Sequence, residues 1–454
     1  MKDMRSRYLL FLCLVLSGYA FIGKGFAGLG AGPLFVGEFV LGLGCLAILA
    51  AGVFLPLFAT VPGALLAVLM AWVVMRTLPG VGQFGVVALR DAVLVGYGLF
   101  AFVVIALLVE RPARVSLVVR AYGGFARWYV LLGTPAFYLA LKFWTYLPLW
   151  PVSQAPLIAV RPGEIAVHLA GAAAYTLAGF RRATLPWVVM VVLGIVVISP
   201  SRGATLACVV PIAAAIVLSG RTASFTPYLL VGACLFTLGY GLDLSVPLEG
   251  GRSMGPRQLV NNFISIAGRS DEANMDGTKA WRLAWWAAIQ DYTLHGPYFW
   301  TGKGFGESLA EIDGFMVGEE MGGPPLRSPH NAHFTVLARA GVPGLALWAA
   351  TCLAWLATLG HAMLVARRRN EPQWAGLFIW LSCYLAAILI DASFDVALEG
   401  PMLGVWFWCL FGFGIGSAMA YRASLHTAEA WRVRAKASAP QGPAAMPPAA
   451  IGSS

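Results

Sequence analysis

The sequence predicts an all-α polytopic membrane protein with about twelve transmembrane helices and one large loop that contains short helices. Of the 454 residues, 59% are hydrophobic and only 11% are charged, whereas soluble domains are about 25% charged. Apolar stretches long enough to cross a bilayer follow one another along most of the chain. One hydrophilic stretch, from about residue 245 to 333, interrupts them. It is too long to be a simple connector.

Twelve apolar stretches are predicted as spans because each approaches the roughly 20 residues that a membrane helix needs. They lie at residues 8–22, 34–56, 59–76, 90–109, 128–148, 164–180, 184–199, 203–219, 226–244, 334–359, 374–391 and 400–421. The first resembles a signal peptide, but spans follow at once, so we expect it to be retained. The stretch at 164–180 contains Glu164 and His168, which would also suit a helix along the interface.

The basic residues predict the orientation of these spans. The even-numbered loops and the two termini hold 17 Lys and Arg residues, whereas the short loops on the other side hold five. The net charge of +10 therefore indicates membrane topology and not a nucleic-acid partner. Both termini are predicted to be cytoplasmic in a bacterial inner membrane, and the large loop periplasmic. The predicted regions are helices 1–9 in 1–244, the loop in 245–333, helices 10–12 in 334–421, and a disordered tail rich in Ala, Pro and Ser in 422–454.

The sequence predicts that the protein binds neither a cofactor nor a metal ion. All seven cysteines lie in apolar stretches, which is typical of buried small hydrophobic residues. The glycine-rich segment 302–306 lacks the residues of a nucleotide-binding loop and predicts a tight turn. The loop carboxylates offer oxygen ligands for a divalent ion, but such groups are usually only solvated; they are Glu311, Asp313, Glu319 and Glu320.

A polar segment leads directly from the large loop into a span and carries His330, Asn331 and His333. An imidazole at a membrane edge can exchange protons near neutral pH. Upstream, residues 278–292 predict an amphipathic helix capped by Thr278, with tryptophans along one face. That face would either rest on the membrane surface or pack against the protein.

Isolated cations on the predicted outer side are candidates for binding an anionic group such as a lipid phosphate. Arg202 lies in a short outward turn, Arg282 among the tryptophans, and Lys142 within an apolar stretch. Burying such a charge in a membrane costs up to about 3 kcal/mol, although an arginine can also reach the head groups without any function. Asp395, in the next outward turn, would face these cations or a sugar hydroxyl.

Four local patterns resemble the O-antigen ligase and polymerase superfamily of bacterial envelope glycan assembly. They cover about residues 185–421, and their order and spacing carry the resemblance. They are SPSRGATL at 199–206, WRLAWWAAI followed by GKGFG, SPHN followed by Gly341 and Gly344, and FDVALEGPMLGVWFWCLFG at 394–412.

The resemblance implies a metal-independent, inverting glycosyltransferase of the GT-C type. Such a ligase moves a glycan from undecaprenyl diphosphate to a lipid A–core hydroxyl at the periplasmic face. His330 matches the motif position expected for a general base, and Arg202 and Arg282 match the arginines expected to bind the diphosphate. Asn331, His333, Asp395 and Lys142 are candidates for substrate binding or support.

Two alternatives stay open. A polymerase or a protein O-oligosaccharyltransferase of the same superfamily would share these motifs, although the single large outer loop favours a ligase. A transporter of lipid-linked sugars would instead show broken helices with polar residues near the bilayer midplane. Here most polar residues of the spans lie toward one face.

Overall fold

The computed structural model describes residues 3–32, 34–151, 154–247, 253–267, 273–316 and 327–437. These residues are mostly helical, as a chain with so many apolar stretches requires, because a helix satisfies its own backbone groups in lipid. Two short antiparallel ribbons are present in them, at Gly30–Ala31 with Leu34–Phe35 and at Val246–Pro247 with Ser253–Met254. The predicted all-α membrane class is confirmed.

Among the described residues, twelve α-helices precede the large loop. They are α1 (Met4–Ile22), α2 (Lys24–Ala27), α3 (Val36–Ala51), α4 (Val61–Phe84), α5 (Val86–Gly96), α6 (Leu99–Glu110), α7 (Arg114–Trp128), α8 (Thr134–Lys142), α9 (Pro162–Tyr175), α10 (Leu185–Val197), α11 (Arg202–Ser219) and α12 (Thr222–Gly241).

The loop and the last part of the chain hold six more helices within the described residues. They are α13 (Pro256–Ala267), α14 (Ala273–Gln290), α15 (Leu309–Ile312), α16 (Ala332–Arg368), α17 (Pro372–Ala392) and α18 (Pro401–Ala437). Single π-helical turns extend α7, α9 and α14, at Tyr129–Gly133, Thr176–Phe180 and Asp291–His295.

Six of the described helices are long and apolar enough to cross a membrane, namely α1, α4, α11, α16, α17 and residues 401–426 of α18. Helices α5 and α6, which meet at a bend of 42°, form a seventh if they are counted as one span. Shorter apolar helices at 36–51, 185–197 and 225–241 occupy three further predicted spans. The count of twelve therefore stays a prediction.

The ends of several predicted elements are corrected. The helix predicted at 128–148 begins at Arg114 and ends at Lys142, because α7 continues through the π-helical turn into α8. Helix α18 continues to Ala437, past residue 422, where the disordered tail was predicted to begin. Alanine, arginine and glutamate favour a helix there. Residues 438–454 lie outside the described residues.

The core is formed by closely packed helices with large aromatic side chains between them. Trp380, Tyr384 and Trp408 are almost completely buried. Gly412 brings α18 so close to α6 that a Cβ atom at this position would collide with the backbone of Ala101. Small residues permit such close contacts between membrane helices. Trp380 and Tyr384 belong to α17, so their burial holds this helix, whose end carries the candidate site, within the core.

Candidate active site

The turn that follows α17 is the centre of the candidate site. The backbone N–H groups of Phe394 and Asp395 both donate to the carbonyl of Asp391, at 2.9 Å each. The Val396 N–H donates to Asp395 Oδ1 at 2.8 Å. The turn therefore orients the Asp395 carboxylate through its own backbone.

His330 lies beside this carboxylate, with its Nδ1 3.2 Å from Asp395 Oδ1. An ionised carboxylate only accepts hydrogen bonds, so Nδ1 carries the hydrogen and the lone pair of the neutral ring is on Nε2. The side chain of His330 is 23% exposed. The pair is thus arranged as a base oriented by an acid.

The backbone of His330 is in the left-handed region, with φ of 52°. This conformation costs a residue with a side chain about 1 kcal/mol or more. It is held from both sides, because Trp286 Nε1 donates to the carbonyl of Pro329 at 2.9 Å and Asn331 is anchored in the next helix. The surroundings thus force the imidazole toward the turn.

Asn331 is the N-cap of α16 and also ties this helix to the turn. Its Oδ1 accepts from the backbone N–H groups of His333, at 2.9 Å, and Phe334, at 3.2 Å. Its Nδ2 donates to the carbonyl of Ser393 at 2.9 Å. Asparagine is among the preferred N-cap residues because its side chain satisfies free N–H groups at the helix start.

His333 is held as a neutral ring by partners at both nitrogens. The indole N–H of Trp348 can only donate, and it reaches His333 Nδ1 at 3.0 Å. Nε2 therefore carries the hydrogen and donates to Ser393 Oγ at 3.1 Å. That hydroxyl in turn donates to the carbonyl of Leu389 at 2.9 Å. Because its lone pair is already engaged, His333 supports the turn and is not available as a base.

Two arginines contact the same turn, and a third begins a helix that packs against it. Arg282 Nη1 donates to the carbonyl of Phe394 at 2.7 Å. Arg161 Nη1 lies 3.6 Å from Asp395 Oδ1 and 3.4 Å from the carbonyl of Val396. Arg202 begins α11, whose next residue, Gly203, is so close to Phe394 that an added Cβ would lie 2.7 Å from the Cβ of Phe394.

Three helix N-termini converge here as well. Helices α9, α11 and α16 begin beside the turn, at Pro162, Arg202 and Ala332. The contacts described above place α11 and α16 there. Helix α9 is placed by Gly163, which packs against the Asp391 carboxylate. A helix N-terminus carries partial positive charge from the aligned peptide dipoles. Together with the arginines, these ends make the region favourable for an anion.

The positively charged groups around the turn lower the pKa of the Asp395 carboxyl. Burial raises its pKa, but the hydrogen bond with His330, the charge of Arg161 and the Val396 N–H together outweigh burial, and the pKa is held below its usual range. Asp395 is therefore ionised at neutral pH.

Glu399, on the same segment, behaves in the opposite way. Burial raises its pKa above the usual range, although hydrogen bonds and nearby positive charge partly offset this effect. Thr335 Oγ1 donates to Glu399 Oε1 at 2.7 Å. The site thus places a strongly held carboxylate and a more easily protonated one close to the start of α16.

The tryptophans of α14 face the protein and not the membrane surface. Trp285 is fully buried and stacks on Phe315, with ring centroids 5.4 Å apart. Trp281 lies edge-on to His330 at 6.4 Å, and Trp286 stacks on Phe334 at 5.1 Å. The predicted apolar face is confirmed. Thr278 is not the N-cap, however, because α14 begins at Ala273.

The glycine-rich segment 302–306 is a turn that docks on a break in α16. At the break, Gly341 has φ of 70°, and the next N–H, of Val342, donates to the carbonyl of Phe299 at 2.8 Å. Lys303 N and Gly304 N donate to carbonyls of α16, at 2.7 and 3.0 Å. The residues between His330 and Gly341 therefore form the first segment of α16, which runs from the site to this docking point.

Two further predictions concern charged residues outside the turn. Lys142 is exposed at the end of α8, with its ammonium 5.8 Å from the ring centroid of Phe143, and no described contact joins it to the turn. The loop carboxylate of Asp313 accepts hydrogen bonds from Trp285, Tyr292 and Lys303. Among the described residues, no group of three or more His, Cys, Asp or Glu side chains is arranged to hold a metal ion; Glu319 and Glu320 lie outside them.

Residues 187–349 match the family model described as O-antigen ligase. The resemblance to the O-antigen ligase superfamily is confirmed. The matched region contains Arg202, Arg282 and His330, whereas Arg161 and Asp395 lie outside it. No curated protein matches the sequence.

Sequence reasoning missed two contributors to this site. Arg161 was counted only among loop charges, and Ser393 was not considered. A basic residue directly before a proline-started helix on the predicted outer side was the available signal for Arg161. Ser393 had no comparable signal, because its importance comes from contacts with Asn331 and His333, some 60 residues away.

Proposed function

We propose that the protein is an O-antigen ligase-type glycosyltransferase of the bacterial inner membrane. It transfers a glycan from undecaprenyl diphosphate to a hydroxyl of lipid A–core, or of a similar acceptor, at the periplasmic face. The hydrogen bond between His330 and Asp395 carries this proposal. The family match supports the reaction class.

The proposed reaction is a single displacement that inverts the anomeric carbon. The acceptor oxygen forms a bond to this carbon while the bond to the diphosphate oxygen breaks, and the lipid diphosphate leaves with the electron pair. His330 Nε2 takes the proton from the acceptor hydroxyl as the oxygen attacks. Such general-base help contributes roughly 10²–10⁴ in rate. Asp395 stabilises the imidazolium that forms.

The leaving diphosphate gains negative charge as its bond to the sugar breaks. Arg202, Arg282 and Arg161, with the N-termini of α9, α11 and α16, supply positive charge at the same turn. Preorganised groups of this kind stabilise developing charge without further rearrangement. Lys142 is left without a role in this scheme, and Asn331 and His333 keep the turn in position.

The test is glycan transfer by the full-length protein in reconstituted membranes. His330→Ala should reduce turnover by about 10²-fold or more while donor binding persists. His295→Ala, which removes an exposed histidine of the same loop, is the matched control and should keep full activity. Wild-type turnover in His330→Ala would refute the proposed base.

Further arms of the same assay test the remaining parts of the proposal. Arg282→Gln should weaken donor use, whereas Arg257→Gln, at an exposed arginine that pairs with Asp243, should not. EDTA should leave transfer unchanged, and the product should have the inverted anomeric configuration. Extension of lipid-linked glycan instead of lipid A–core would identify a polymerase, and translocation without a new glycosidic bond would identify a transporter.

A further inference from the structure

The end of α17 farthest from the candidate active site borders a polar cavity of about 180 Å³. The cavity lies where the π-helical turn after α9, the turn from α11 to α12 and the turn from α16 to α17 meet. Because α17 contains 21 residues, its two ends are about 30 Å apart. That separation equals the thickness of a bilayer core, so the cavity lies at the opposite membrane surface.

The walls of the cavity carry both signs of charge. Arg221 and Arg367 supply two guanidinium groups, and Glu371 supplies a carboxylate. Ser219 and Asn370 add neutral polar groups. The rest of the wall consists of small or apolar residues, namely Ala178 from the segment after α9 and Pro372, Ala375, Gly376 and Ile379 from α17. A cavity of this composition suits a ligand that itself has one anionic and one cationic group.

The backbone is shaped to make this space. Gly179 has φ of 98° and lies directly against the guanidinium of Arg221, so that any side chain at this position would collide with it. Asn370 adopts a left-handed conformation, with φ of 57°, in the turn before Glu371. These two turns place Arg221 and Glu371 on walls of the same cavity.

We propose that this cavity binds the phosphoethanolamine head group of a membrane phospholipid. Arg221 and Arg367 bind the phosphate oxygens, for which a guanidinium offers parallel hydrogen bonds, and Glu371 accepts hydrogen bonds from the ammonium. Basic cavities between helices at a membrane surface are typical sites for lipid head groups. The apolar remainder of the wall accommodates the carbon atoms next to the phosphate. This proposal does not depend on the proposed transferase function.

The chemistry distinguishes this ligand from its nearest alternatives. Free phosphate satisfies the arginines but places a second negative charge near Glu371. A phosphocholine head group keeps the phosphate but has no N–H group to donate to the carboxylate. A preference for phosphatidylethanolamine over both is therefore the signature of the proposed site.

The test uses native mass spectrometry of the purified full-length protein. The protein is first exchanged into phosphatidylethanolamine or phosphatidylcholine, and the lipids that remain bound are then measured. The wild type should retain phosphatidylethanolamine preferentially. The double variant Arg221→Gln/Arg367→Gln should bind it about 30-fold more weakly, because each basic residue near a lipid phosphate contributes about fivefold. Glu371→Gln should lose the preference between the two lipids. Arg368→Gln, the same change at the next residue of α16 but outside the cavity wall, should bind like the wild type.

A second measurement on the unmodified chain guards against a variant that fails to fold. A photoreactive phosphatidylethanolamine should label peptides that contain residues 219–221 and 367–376. Labelling confined to other peptides, equal retention of both lipids by the wild type, or displacement by an equal concentration of inorganic phosphate would each refute the proposal.

Discussion

At His330, an unfavourable backbone conformation coincides with the side chain proposed to act as the base. A left-handed histidine is retained only where its surroundings determine it, and here Trp286 and Asn331 fix the residues on both sides. The imidazole is thereby held against Asp395 before any substrate binds. Such preorganisation is how a site avoids rearrangement during the reaction.

We expect Asp395→Asn to lower turnover by about 10²-fold, because the amide cannot stabilise the imidazolium with a negative charge. The KM of the donor should change little, since the arginines stay in place. Steady-state kinetics in reconstituted membranes measures both values. Asp243→Asn, at an exposed ion pair with Arg257, is the control, and an unchanged turnover of Asp395→Asn would argue against the pair.

Glu399 predicts a dependence of stability on pH. Burial raises the pKa of Glu399 in the folded state. The contribution of this group to the free energy of unfolding is therefore complete below the ordinary pKa of glutamate. It is lost as the pH rises through the raised pKa. Glu399→Gln keeps a neutral group that still accepts from Thr335. Its Tm should exceed that of the wild type at pH 8 and equal it at pH 4.

Thermal unfolding in detergent measures this difference, and Glu311→Gln, at an exposed carboxylate, should shift Tm equally little at both pH values. A Tm below the wild type for Glu399→Gln at pH 8 would show that the charged form is needed.

The residues of the site were predictable in part. His330 and Arg282 could be predicted from the sequence, because a polar group beside an apolar stretch is unusual in a chain of this composition. The pairing of His330 with Asp395 joins positions 65 residues apart, and the neutral form of His333 depends on Trp348 beyond a helix break. Contacts of this kind arise from packing and leave no local pattern.

Among the elements, α16 shows how one glycine positions the site. At Gly341 the helix breaks with φ of 70°, and an added Cβ would lie 2.6 Å from the carbonyl oxygen of Phe299. The break lets segment 299–304 bond to the open backbone. It also aims the first part of the helix, with Asn331, at the turn.

Gly341→Ala should therefore destabilise the protein by about 2 kcal/mol or more, through backbone strain and collision. Gly360→Ala in the same helix meets nothing within 4 Å. It should be neutral or stabilising by up to about 1 kcal/mol. Thermal unfolding of both variants in detergent separates the outcomes, and equal Tm values would contradict the proposed role of the break.

The existence of most helices followed from hydropathy, whereas their ends did not. Hydropathy reports the part of a helix that lies in lipid, but helix propensity continues beyond it. Residues 422–437 are helical for this reason, and α7 with α8 begins 14 residues before the predicted span. The π-helical turns likewise depend on packing and have no signature in the pattern of apolar residues.

On the scale of the whole molecule, charged side chains are segregated to the two ends of the helices. Asp3 pairs with Arg111 and Arg114 at 3.0 and 2.9 Å, which brings the start of α1 and the turn after α6 to the same end. At the other end of the membrane helices, the turn after α17 collects Arg161, Arg282 and His330. Lipid as a solvent disfavours charges between these ends.

The proposed orientation can be tested by cysteine labelling, because α17 joins the two ends. In a variant without its seven native cysteines, Tyr146→Cys reports the active-site end, since Tyr146 is 84% exposed in the segment that leads to Arg161. Gln373→Cys, at an exposed position in the first turn of α17, reports the opposite end. A membrane-impermeant maleimide that reaches the periplasm should label Tyr146→Cys in intact cells, and Gln373→Cys only after permeabilisation. The reverse pattern would place the proposed site on the cytoplasmic side, where periplasmic transfer is impossible, and equal labelling in intact cells would mean that α17 does not span the membrane.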